Sequence, residues 1–80
     1  MAEHDEDAAV QPSNLWSVHS EAEGRPYIRA WAKSEAEATQ KMAELKARDP
    51  NAAKNRYFLV RLTRGQVEGL KQTGFIPKDA

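Results

Sequence analysis

The sequence predicts a small α+β domain with elements in the order β-β-α-β-α. Three stretches alternate at period 2, around Leu15–His19, Tyr27–Ala32 and Arg56–Leu62. Two further stretches open on helix-capping signals, at Ser34 and at Thr63. Length sets the third bound, because eighty residues make one domain at most, and one that buries only a modest core.

Residues 1–13 read as an acidic, disordered tail. Glu3, Asp5, Glu6 and Asp7 carry its charge, there is no apolar period, and Pro12 closes it. The domain proper is expected over residues 14–77, with residues 78–80 frayed. In the first strand Trp16 and Val18 face one way. A polar loop over residues 20–26, with Gly24 and Pro26, leads into the second strand and makes an antiparallel hairpin. There Ile28, Ala30 and Ala32 oppose Tyr27, Arg29 and Trp31.

Ser34-Glu35-Ala36-Glu37 has the capping-box pattern, the serine accepting from the third amide and Glu37 reaching back. The strong helix formers that follow put Ala38, Met42 and Leu45 on one narrow stripe. Asp49-Pro50-Asn51 ends that helix. In the third strand Phe58, Val60 and Leu62 share one side, and Tyr57, Leu59 and Arg61 the other. Thr63-Arg64-Gly65-Gln66 repeats the capping pattern, Val67 and Leu70 give a short apolar face, and Gly74 is the expected stop. Phe75 and Ile76 are expected to fold back onto the core.

Three strands with one open face suit antiparallel pairing, so the expected order is 2-1-3, with both helices packed on one face. That packed face is expected to hold Trp16, Val18, Ile28, Ala30, Phe58, Val60 and Leu62. The reverse face then presents Tyr27, Arg29, Trp31, Tyr57, Leu59 and Arg61, with Ser17 and His19 near the hairpin.

Aromatic rings and guanidinium groups on an open sheet are the equipment of a binding surface. Tyr, Trp and Arg dominate protein interfaces. The same rings stack on bases, and arginines reach phosphates. Tyr and Trp also favour strands for packing reasons alone, so a purely structural sheet uses the same residues. The expected role is a non-catalytic protein-interaction module, or a small regulatory or accessory protein, with Tyr27, Arg29, Trp31, Tyr57 and Arg61 contacting the partner. The alternative is a nucleic-acid-binding module on the same face, with Arg64, Lys41, Lys46, Arg48 and Lys54 as anion contacts. Past residue 12 there are twelve basic residues against eight acidic, a mild surplus far from that of an avid nucleic-acid binder.

Catalysis has little to stand on. There is no cysteine, no serine elbow and no phosphate-binding glycine loop. His4-Asp5-Glu6-Asp7 is a run of adjacent flexible ligands and not a defined metal site, and no cofactor or small-molecule substrate is expected. The absence of cysteine, of a long apolar run and of a signal-peptide pattern points to the cytoplasm. An exposed strand edge leaves a homodimer open. Trp16 to Ala38 resembles the hairpin-then-helix of the arm-type DNA-binding domains of tyrosine recombinases, through Gly24-Arg25-Pro26-Tyr27 and Ser34-Glu35-Ala36-Glu37-Ala38. Those domains place a third strand before the helix, which this chain lacks, and the likeness covers under half of it.

Overall fold

The computed structural model describes residues 9–80. Strand β1 runs Pro12–Ala22, β2 Arg25–Ala32, helix α1 Glu35–Arg48, β3 Arg56–Thr63 and helix α2 Arg64–Gln72. The strands form one antiparallel sheet in the order β2-β1-β3, so the expected α+β class and strand order hold.

The element ends follow local chemistry. Residues 1–8 of the expected acidic tail lie outside the described residues, whereas Pro12 and Ser13 already belong to β1. The Ser13 hydroxyl donates to Leu62 O at 2.7 Å and accepts from Leu15 N at 3.0 Å. This link absorbs the register jump between Pro12 and Trp16 opposite β3. The hairpin loop is tighter than residues 20–26. Ala22 pairs with Arg25, leaving only Glu23 (φ 54°) and Gly24 (φ 78°) at the turn. Two successive left-handed residues suit the twist of the flanking strands, and Gly24 takes the second position without a Cβ penalty.

At the start of α1 the Ser34 hydroxyl accepts from Glu37 N at 3.1 Å, half of the expected box. The Glu37 carboxylate turns instead to Lys41, one turn along, at 3.4 Å. The full reciprocal box forms at α2, where Thr63 Oγ1 accepts from Gln66 N and Gln66 Oε1 accepts from Thr63 N. Gly74, with φ 84°, turns the chain so that Ile76 N reaches Leu70 O at 3.2 Å and the Ile76 side chain is fully buried. Beyond it, Ala80 N donates to Pro77 O and Lys71 Nζ to Ala80 O.

The helices do not share a face, which corrects the expected one-sided cover. Val18, Ala32 and Ala38 form one buried cluster, with Trp16, Ala30, Met42, Leu45, Tyr57 and Leu59 around it, and α1 closes it. Leu62, Val67 and Ile76 form the other, with Leu15, Trp31, Leu70 and Phe75, and α2 closes that one. Neighbours along each strand divide between the clusters, Leu15 from Trp16 and Trp31 from Ala32, so the clusters lie on opposite faces. The cause is the unbroken apolar run Tyr57–Val60 in β3. A strand apolar on both sides needs cover on both.

A bulge completes the rearrangement. Val18 pairs with Ala30 but His19 with Ile28, so Arg29 is an extra residue that reverses the phase of β2. The α1 face therefore carries the cross-strand rows Ala30–Val18–Leu59 and Tyr27–Ser20–Tyr57. The α2 face carries Trp31–Ser17–Val60 and Ile28–His19–Phe58.

Candidate functional site

Helix α2 has nine residues and β3 eight. That is about 13 Å of helix over about 27 Å of strand, so the helix roofs only part of its face. It sits over Leu15, Trp31 and Leu62, and the Ile28–His19–Phe58 row emerges beyond it. A groove of about 560 Å³ results, floored by His19, Ile28, Phe58 and Val60 and walled by Gly69 and Leu70 of α2. Its lining is mostly apolar, with Gln66 and Thr73 at the rim. Gly69 shapes that wall, because a Cβ built there meets nothing within 4 Å. Gly65 has a different role, since its Cβ would come within 3.1 Å of Ala9 O.

The floor is held by polar ties beneath it. The buried Ser17 hydroxyl lies 3.1 Å from His19 Nδ1 and 3.4 Å from Val60 O. The His19 ring stacks on Phe58 at 5.4 Å between centroids, 13° from parallel. The Arg56 guanidinium lies over the same Phe58 ring at 5.1 Å. Partial burial pushes the His19 pKa below its ordinary 6.5, so the fold favours the neutral imidazole.

The five residues expected to share an open face do not share one. Trp31 lies on the α2 face, half-buried in the cluster of Leu62, Val67 and Ile76, because the bulge shifts its phase relative to Tyr27. Tyr27, Arg29 and Tyr57 do meet, on the α1 face around Ser20. Arg29 Nε donates to the buried Ser20 hydroxyl at 2.7 Å, and its guanidinium lies 5.6 Å from the Tyr27 ring. Tyr27 is 46% exposed, whereas the Tyr57 hydroxyl donates to Asp49 Oδ2 at 2.7 Å. Arg61 is exposed, and its Nε donates to Ser13 O at 2.9 Å.

Two of the five expected anion contacts, Lys41 and Lys46, have internal side-chain partners. Lys41 Nζ donates to Trp31 O at 2.7 Å and lies 5.6 Å from the Trp31 ring. Lys46 lies over Tyr57 at 6.0 Å. Arg48 borders a polar hollow of about 410 Å³ that also holds Arg29, Asp49 and Tyr57. Arg64 begins α2, but Arg64 N already donates to Gln11 O, and the amide of Gln66 is taken by the Thr63 cap. Lys54 is exposed in the loop between α1 and β3.

Asp49 organises that loop. Its carboxylate accepts from Tyr57 OH, from Asn51 N at 2.8 Å and from Asn55 Nδ2 at 3.1 Å. These bonds, the Tyr57 one foremost, hold its pKa below the ordinary value, and the same Tyr57–Asp49 bond raises that of Tyr57. The run His4–Asp7 lies outside the described residues. Among those described, no three His, Cys, Asp or Glu side chains gather as metal ligands, and no helix is long and apolar enough to cross a membrane.

Sequence reasoning placed Ile28, Phe58, Val60 and Leu70 in a closed core and His19 on the other face, and so missed the groove. The readable signals were the brevity of α2 beside its strand and a glycine in the middle of it. Comparison with protein-family models, with curated proteins and with solved structures gives no match.

Proposed function

We propose that this domain is a non-catalytic protein-interaction module whose groove beside α2 takes an apolar segment of a partner protein. The observation that carries the reading is the half-roofed α2 face, which leaves Ile28, Phe58, Val60 and Leu70 lining one open concavity. Apolar concavities with a few polar groups at the rim are where binding energy concentrates. Nucleic-acid binding is less well supported. A stacking platform needs free ring faces, and Phe58 already has His19 and Arg56 against its ring. Trp31, the largest ring considered for stacking, belongs to a core cluster.

Gly69→Gln tests the reading without disturbing the fold, because the space around Gly69 is open and glutamine is a good helix former. The variant should keep or raise the melting temperature while its side chain occupies the groove mouth. In capture experiments from native lysate it should lose the proteins that the unaltered chain retains. Identical capture by both would remove the groove from consideration.

A further inference from the structure

The two outer edges of the sheet are finished differently. The β2 edge carries Pro26, which has no amide hydrogen, the bulge at Arg29, and the Lys41 ammonium bound to Trp31 O. Each of these hinders the addition of another strand. The β3 edge has none of them. Its eight residues include no proline, no glycine and no acidic side chain. It pairs with β1 on one side, and among the described residues no strand or loop pairs with its other side.

Two further observations say what such an edge would accept. Phe58, Val60 and Leu62 of β3 line the groove, so a strand laid beside β3 would carry every second side chain to the groove's rim. The charge is also one-sided. Between Asp49 and Glu68 the chain carries Lys54, Arg56, Arg61 and Arg64 and no Asp or Glu. Arg61 lies on the α1 face of β3, in register with Trp16, and Lys46 lies over Tyr57 on that face.

We propose that β3 receives an extended peptide of the partner as a fourth strand, one that alternates apolar and acidic residues. The apolar side chains lie along the groove beside Phe58 and Val60. The carboxylates lie on the opposite face, toward Arg61 and Lys46. Main-chain hydrogen bonds supply affinity and the alternation supplies specificity, the mode of β-strand addition. A second copy of this chain fits less well, since its β3 brings the same arginines and no carboxylate. The inference rests on the groove reading above and specifies its ligand.

The probe is a capped peptide of alternating Glu and Val, matched to the eight residues of β3, added to the isotopically labelled full chain. Hydrogen exchange at the outward amides of β3 should slow by at least about tenfold. Binding should weaken as salt rises, and the matching Lys/Val peptide should leave exchange unchanged. Arg61→Glu should weaken the Glu/Val peptide and admit the Lys/Val one.

Groove resonances that shift with no slowing along β3 would overturn strand addition while leaving the groove reading intact. Equal binding of both peptides would overturn the acidic preference. Protection of β3 without peptide, accompanied by a dimer in sedimentation equilibrium, would replace the peptide by a second copy and overturn the proposal. The groove reading fails separately, through unchanged capture by Gly69→Gln.

Discussion

The Asp49 carboxylate accepts three hydrogen bonds from within its own loop and the strand beside it. Tyr57→Phe removes the first of these. The Asp49 pKa should then move up toward its ordinary 3.8, as followed by carboxyl-carbon NMR. In the intact chain the depressed pKa makes this loop's contribution to stability present above the ordinary value and lost as pH falls through the folded one. His19 also weakens the fold in acid, for a different reason. Its folded pKa lies below 6.5, so between the two values the unfolded chain holds more protons. Stability should therefore decline as pH falls below 6.5 and level off below the folded pKa. His19→Gln should flatten that segment of a urea-midpoint against pH curve. Neither residue's partners follow from spacing alone: Asp49 reads as a helix stop, and its bond to Tyr57 depends on where the returning strand lies.

At the scale of elements, the two caps predict unequal consequences. Thr63→Ala breaks a reciprocal box and should cost about 1 kcal/mol, more than Ser34→Ala, whose partner Glu37 is already engaged with Lys41. Gly69→Ala, in open space, should gain about 0.5–1 kcal/mol, measurable as a higher urea midpoint at an unchanged slope. The existence and order of the elements, and the starts of both helices, were legible because caps, turn residues and period 2 are local signals, whereas β1 extends further in both directions than its alternation suggests. The assignment of faces was not. Period 2 says which residues of one strand share a side, but not which side of the neighbouring strand they join. One bulged residue, Arg29, reversed the phase within β2 itself. The groove was hidden for the same reason, since Ile28, Phe58 and Val60 read as core until the register is known.

For the whole molecule, two half-cores on either side of a three-stranded sheet replace the single core that one-sided cover implies. Each rests on three buried residues, Val18, Ala32 and Ala38 under α1, and Leu62, Val67 and Ile76 under α2. Neither has much redundancy. Ile76→Ala, emptying a fully buried site, should cost about 2–4 kcal/mol, a large fraction of what a domain of this size commands. Because Phe75 and Ile76 belong to the α2 half-core, the loss should also loosen α2 and the groove wall it forms, visible as faster amide exchange in Arg64–Gln72 than in Glu35–Arg48.

The phase reversal at Arg29 splits β2 into two independent halves. Ala30 and Ala32 seat α1, while Pro26 and Ile28, nearer the hairpin turn, border the cavity on the other surface. Substitutions of Pro26 or Ile28 can thus reshape the groove without touching the contacts that anchor the longer helix. If the groove binds a partner as proposed, variation in its preference has a natural place to accumulate there.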